Sequence, residues 1–317
     1  MSAYISQEDM MSIPAREVGD VSQLVSSPLV SVIMMTYHHE SYIAQAIEGV
    51  VMQQCSFPIE LLIGEDCSTD RTRDICLEYQ RLYPKFIRLI TSETNVGMHK
   101  NMFRIFGRSK GHYLAMCEGD DYWCDDCKLQ KQVDFLEANS DHTLCFHNSQ
   151  VIYQDADTKP HLFNRKSPLI LTALDIIERD WLIPTASMVF RKTVITGLPT
   201  DFCTFPSADL ALCILAAAAG KVHGFAECMS AYRKHQGGAS YGVSVSAQHG
   251  IQYWERVNSM LASLDRFLHG KYRRSFQKRI LSNRRRIDYI RLKHRMQFSP
   301  RVLWNSIRFQ IEDKLGR

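Results

Sequence analysis

No apolar run in this chain of 317 residues approaches the ~18–20 needed to cross a bilayer as a helix. Nor does the N-terminus carry a basic segment followed by an apolar one, the pattern of a secretion signal. The expectation is a cytoplasmic protein. No G-x-G-x-x-G and no G-x-x-x-x-G-K-[ST] occurs, which counts against a dinucleotide dehydrogenase and a P-loop NTPase. Internal repeats and long low-complexity stretches are missing too. The ten cysteines lack the spacing of a disulfide or metal framework. Cys124 and Cys127 form a lone C-x-x-C, and the set reads as reduced and mostly buried.

What is present suits a soluble globular protein with a sizeable core, at 45% hydrophobic and 10% aromatic residues. The length allows one large α/β domain with extensions, or two ordinary domains. A net charge of +4 conceals an asymmetry. Residues 268–317 hold 15 Lys/Arg against 3 Asp/Glu, or +12, which leaves −8 for the rest. An acidic body therefore carries a basic tail.

Residues 1–27 are polar and aperiodic and read as a flexible arm. From Pro28 the chain alternates between two kinds of segment. Leu29–Thr36, Ile59–Gly64, Phe86–Ser92 and Tyr113–Cys117 are apolar runs of the kind that strands buried on both faces show. Between them, Ser41–Gln54, Arg71–Tyr83 and the stretch after Gly97 through Phe106 have helical spacing. This β-α-β-α-β-α-β order predicts an open parallel sheet, with ligands beyond the carboxyl ends of its strands. Further on, Lys128–Ala138 and Leu171–Asp180 read as helices, and Thr143–Tyr153 and Ala186–Phe190 as strands. Leu210–Ala219 is an apolar helix, Val222–Tyr232 a strand, and Arg233–Gly242 a glycine-rich loop. From Ser246 the chain is helical and basic, with a break at Pro300.

The polar clusters sit at the predicted strand ends. Tyr113–Cys117 runs into Glu118-Gly119-Asp120-Asp121, three carboxylates on one tight turn. Such hard oxygen donors suit Mg²⁺ or Mn²⁺, which keep positions open for phosphate oxygens. A solvated acidic turn is the alternative. Thr36-Tyr37 closes the first strand, Glu65-Asp66-x-Ser68-x-Asp70 the second, and Asn95-x-Gly97 follows the third. Ser68 and Asp70 also suit helix caps.

These four clusters, in register after four successive strands, closely resemble the family 2 glycosyltransferases with the GT-A fold, over about Leu29 to Tyr241. The resemblance implies a Rossmann-like, mostly parallel sheet flanked by helices, with an acceptor half over 126–245 after the nucleotide-binding half that the strand alternation gives over 28–125. The basic helical extension over 246–317 lies outside the matched region. It places Thr36 and Tyr37 at the nucleotide base and Asp66 on the uracil ring and ribose, with Asn95 and Gly97 beside them. His38 departs from the family, which most often has Asn there. Asp120 matches the metal-binding D-x-D region, with Glu118 in place of its usual Asp and Asp121 next to it. Lys100 offers a cation to the diphosphate or serves as a solvated surface lysine.

The same resemblance makes Asp209, before the helix Leu210–Ala219, the base that deprotonates an acceptor hydroxyl. A helix-capping role is compatible with it. Tyr232-Arg233-x-His235-x-Gly237-Gly238 resembles the loop that closes over the diphosphate, with Arg233 on phosphate and His235 a third metal ligand or phosphate donor. Trp123 and Trp181 suit either sugar stacking or a core role. In the tail, Arg273, Arg274, Lys278, Arg279, Arg284, Arg285 and Arg286 interleave with Phe276, Ile280, Leu281, Ile287 and Ile290. That pattern fits a helix lying on anionic lipid at the inner face of the membrane, a dimerising helix, or a polyanionic acceptor. No nucleic-acid-binding module accompanies the charge.

The expected activity is therefore inverting, metal-assisted transfer (Mn²⁺ or Mg²⁺) of a sugar from a UDP-sugar to a polysaccharide or lipid-linked saccharide. The alternatives are a nucleotidyltransferase and a non-catalytic nucleotide-sugar-binding protein.

Overall fold

A computed structural model describes residues 4–19, 22, 24, 26–154, 158–165, 170–238 and 246–294. Everything structural below concerns these residues. Pro300, residues 239–242 of the glycine-rich loop and the tail beyond 294 lie outside them.

The strands β1 (Arg16–Val18), β2 (Val30–Thr36), β3 (Ile59–Glu65), β4 (Ile87–Thr91), β5 (Tyr113–Met116), β6 (Tyr122–Trp123), β7 (His142–Tyr153), β8 (His161–Leu162), β9 (Ile170–Leu171), β10 (Val189–Arg191) and β11 (Lys221–Lys234) form one sheet. Its main path runs β1-β4-β3-β2-β5-β10-β7-β11-β6. β4, β3, β2 and β5 pair in parallel, as the alternation predicts. Beyond β5 the sheet turns mixed: β10 is antiparallel to both β5 and β7, and β7 is parallel to β11. The sheet crosses without a break from the predicted nucleotide half into the acceptor half.

The four parallel strands read as continuous apolar runs because both faces are covered. Val30, Val32, Leu61, Ile63, Leu89 and Ala115 face one core. Helices α2 (Ile43–Val51), α3 (Thr72–Leu82) and α5 (Lys128–Ala138) supply the partners on that side. The intervening Ile33, Leu62, Ile90 and Leu114 face a second core. That side holds α1 (Gln7–Met11), α4 (Met98–Phe106), α6 (Ala173–Glu178), α7 (Ala208–Ala219), α8 (Ala247–Phe267) and α9 (Arg273–Lys293).

Three expectations need correction. Much of the predicted flexible arm is folded. Ser6 caps α1 through a reciprocal capping box with Asp9, and Met10 packs into the core at 3% exposure. β1 adds an edge strand to β4, and Glu17 takes Arg88 in a two-pronged ion pair at 2.7 and 3.0 Å. The predicted strand Ala186–Phe190 is divided into a 3₁₀ turn, Thr185–Ser187, and the short β10. The third correction concerns the basic tail. In α9, Phe276 and Ile287 are buried, and Ile280 and Ile290 pack against the same core, so this apolar stripe is already covered by protein. Arg279 and Arg286 both pair with Asp180, Lys278 pairs with Glu178, and Arg286 lies over Trp254. A helix with its apolar residues packed inward does not insert them into lipid; of the interleaved set only Leu281 is exposed.

Candidate active site

The acidic turn is sewn to the end of β2. The Cys117 N–H donates to the Ile33 carbonyl at 3.1 Å and the Gly119 N–H to the Met35 carbonyl at 2.9 Å. The approach is close enough to require glycine. A Cβ on Gly119 would lie 2.7 Å from Thr36 Oγ1 and 3.0 Å from His39 Nδ1. Glu118 and Asp120 thereby leave the turn on either side of a residue that cannot grow.

Asp121 has a different surrounding from the other two carboxylates. It is 1% exposed and accepts the Arg233 backbone N–H at 2.9 Å. Burial, then the charges of Asp120 and Glu118, push its pKa well above the usual carboxylate range. It fastens the turn to β11 through the bond from the Arg233 N–H. Arg233 is likewise engaged by the protein. Its guanidinium donates to the Asp120 carbonyl at 2.9 Å and to Gln45. It is sandwiched between Tyr42 and Tyr122, with ring centroids 5.1 and 4.7 Å away. At 5% exposure it holds the turn from within the protein.

The group that converges is Asp120, His235 and His39, whose ligating atoms lie within 4.8 Å of one another. Asp120 Oδ2 is 3.1 Å from His235 Nε2 and 3.8 Å from His39 Nε2. Burial opposes the Asp120 charge, but the His235 hydrogen bond and the field of His39 hold its pKa below the ordinary value. Burial outweighs Asp120 at His39 and lowers that imidazole's pKa, favouring the neutral form that binds metals. Two imidazoles and a carboxylate are a donor set that fits Mn²⁺ and similar divalent ions.

On the far side of the turn, Glu118 lines a cavity of about 450 Å³. Burial, with Asp120 and Asp209 adding to it, raises the Glu118 pKa to about 8. Asp209 lines the same cavity from the first turn of α7. Its Oδ1 accepts the Ser207 hydroxyl at 2.5 Å and the Leu210 N–H at 2.8 Å, while Oδ2 accepts only the Thr185 hydroxyl, at 3.3 Å. The helix N-terminus favours its negative charge. Met35, Met98, Met102 and Met116 give the cavity an apolar wall, faced by Trp181 and Trp254. Trp123 is elsewhere, buried at 1% exposure with its indole N–H on the Ala186 carbonyl at 2.8 Å.

At the end of β2, Thr36 is buried with Oγ1 unpartnered, and Tyr37 is 42% exposed and stacked on His38 at 3.9 Å between centroids. Both Asp66 oxygens are occupied: Oδ1 accepts the Val96 N–H at 2.8 Å and Oδ2 the Gly97 N–H at 2.9 Å. Asn95 returns a bond to the Asp66 carbonyl at 3.0 Å. Gly97 has φ +85°, which favours glycine. Arg104, fully buried, supports the assembly through the Glu65 carbonyl at 2.7 Å and approaches Asp66 at 3.6 Å. Asp66, Asn95 and Gly97 thus form one knot. Lys100 is exposed on α4.

The sequence pattern of glycosyl transferase family 2 matches residues 31–195. A Mycobacterium tuberculosis protein, Rv1520, is 34% identical over 242 residues, 75% of this chain and 67% of that protein. The chain belongs to glycosyl transferase family 2. Two solved structures share its fold. Staphylococcus aureus TarS in complex with UDP-GlcNAc is 19% identical with a TM-score of 0.56, covering 82% of this chain and 81% of that one. The mannosyltransferase PcManGT from Pyrobaculum calidifontis, in complex with GDP-Man and Mn²⁺, is 14% identical with a TM-score of 0.56, covering 96% and 86%.

In this glycosyltransferase the structure gathers Asp120 with His235, and Glu118 with Asp209, at the carboxyl ends of the parallel strands. Sequence reading missed His39. Its signal was the His38-His39 pair directly after β2, of which only His38 drew notice. The residues that seat Arg233, namely Tyr42 and Gln45 at the start of α2 and Tyr122 in β6, were also missed, because both segments are remote from Arg233 in the chain.

Proposed function

We propose that this enzyme transfers a sugar from a UDP-sugar to a hydroxyl of a saccharide or lipid-linked saccharide, with metal assistance and inversion at the anomeric carbon. The observation that carries the proposal is the cavity on which Asp209 and Glu118 meet, directly beside the turn bearing Asp120. A carboxylate in an apolar pocket of that size, next to a metal-fitting donor set, suits deprotonation of an acceptor at one side of a diphosphate leaving group.

In this reading Tyr37 faces the nucleotide base at the mouth of β2. Asp66 acts indirectly, by holding the Asn95–Gly97 loop in the shape that borders the nucleotide. Asp120 and His235 would hold Mn²⁺ or Mg²⁺, which when bound neutralises charge developing on the departing diphosphate. Arg233 keeps Asp120 in place from below. Met35, Met102 and Trp181 offer apolar surface to the faces of sugar rings and exclude water. Asp209 takes the acceptor proton on Oδ2, the less engaged oxygen, while Ser207 and the Leu210 N–H keep the carboxylate oriented through Oδ1. The attacking oxygen bonds to the anomeric carbon from the face opposite the diphosphate, and one displacement inverts the configuration.

The test is a panel of nucleotide-sugars incubated with acceptor saccharides and Mn²⁺ or Mg²⁺, with the released nucleotide product identified. Release of UDP with a new glycosidic bond of inverted configuration supports the reading. Release of pyrophosphate would assign a nucleotidyltransferase, and tight binding without turnover on any acceptor would assign a binding protein.

A further inference from the structure

We infer that His39 is a third protein donor to the metal, giving a site of two imidazoles and one carboxylate that prefers Mn²⁺ to Mg²⁺. The inference rests on the metal-assisted reading above and adds to it a ligand that the acidic turn does not predict.

Several observations place His39 there. Its backbone N–H donates to Thr72 Oγ1 at 2.8 Å, which fixes the chain as it leaves β2. Its ring lies edge to face with His235, centroids 6.1 Å apart and planes at 83°, so the two imidazoles approach the same carboxylate from different directions. Both Nε2 atoms address one oxygen, Asp120 Oδ2. Neither ring nitrogen of His39 has a protein hydrogen bond that would account for this pose: Nδ1 is buried and unpartnered, and Nε2 faces Asp120 at 3.8 Å, beyond hydrogen-bonding reach. Gly119 leaves the space the ring occupies, since a Cβ there would stand 3.0 Å from His39 Nδ1. A residue held by its backbone, admitted by a glycine and aimed at a carboxylate already bonded to another histidine has the arrangement of a ligand. Its chemistry sets the preference. Mn²⁺ accepts imidazole nitrogen more readily than Mg²⁺, which favours oxygen donors and keeps its waters, although the later transition ions bind such nitrogen more tightly than Mn²⁺ does.

The test uses the full chain with UDP and Mn²⁺, read by electron paramagnetic resonance. Pulsed spectra of the bound ion are expected to show couplings from two imidazole nitrogens in the wild type and from one in His39→Gln. Removing the donor is expected to weaken Mn²⁺ binding at least about tenfold, the scale at which even residues that only support metal ligands act. Mg²⁺ binding, followed by competition, should change far less. Should His39→Gln fail to fold, His39→Asn carries the same test, because it removes the imidazole with a shorter side chain and leaves the backbone N–H bond to Thr72 in place. Loss of one nitrogen coupling in either variant supports the inference. Unchanged couplings and Mn²⁺ affinity in a folded variant overturn it. A wild-type spectrum with a single imidazole also overturns it, while leaving the metal-assisted function intact. UDP-sugar turnover that is undiminished in excess chelator would remove the metal from that function, and this inference with it.

Discussion

Behind the acidic turn, the protein buries a cation that it does not pair. Lys128 opens α5 with no exposure, its Nζ 3.9 Å from the centroid of Trp123 and without a hydrogen-bond partner. Burial pulls its pKa from 10.5 to about 7, against smaller opposing effects of Cys117, Cys145 and Cys55. A lysine with a lowered folded-state pKa binds fewer protons when folded, so stability rises with pH between about 7 and about 10. The difference corresponds to about 5 kcal/mol across that window. A desolvated cation over an indole recovers about 2 kcal/mol, which leaves a net penalty of about 3 kcal/mol for the charged form. Lys128→Met keeps the length, removes the charge and sets a thioether against Trp123. We expect the variant to gain about 2–3 kcal/mol near pH 7 and to lose most of that advantage by pH 9.5. Urea titrations at several pH values between 7 and 9.5 read this as a difference between the two proteins. That range avoids His147, whose buried ring has a pKa well below 6.5, and it cancels the cysteine thiols common to both. A variant less stable than wild type at pH 7, or a difference that does not change with pH, would show that the buried ammonium carries no such penalty.

Other expectations concern the nucleotide knot and the packed tail. Asp66→Ala strips the Val96 and Gly97 N–H groups of their acceptors and should cost about 1–3 kcal/mol. It should also weaken UDP binding about tenfold, equivalent to roughly 1.4 kcal/mol, and unchanged affinity by calorimetry would argue against the role given to that loop. Asp180→Ala leaves Arg279, only 4% exposed at its side chain, without its carboxylate, and should destabilise by roughly 2–4 kcal/mol in urea. Glu178→Ala breaks a more exposed pair with Lys278 and should cost under about 1 kcal/mol. Equal losses from the two would contradict the distinction between buried and surface ion pairs.

The parallel half of the sheet was legible because each strand is apolar on both faces and ends in a polar cluster. The predicted Leu29–Thr36 and observed Val30–Thr36 differ by one residue, since the signal comes from burial itself. β6 and β10 are two and three residues long. They exist through pairing with β11, β5 and β7, which no local pattern announces. The acidic turn was located but its division of labour was not. Asp121 and Arg233 have the residue types of ligands, and only the tertiary contacts show them bonded to each other's segments. His39 and His235 reach Asp120 from opposite parts of the chain. The stripe of α9 misled for a simple reason: an apolar helix face looks the same in sequence whether lipid or protein covers it.

Asp209 is the proposed base, and single-turnover sugar transfer by Asp209→Asn measures that role directly. Asparagine keeps the size and the acceptor for the Leu210 N–H but cannot take a proton. The prediction is UDP affinity within about twofold of wild type, with transfer slowed by about 10²–10⁴-fold. Transfer at a near-normal rate would contradict it.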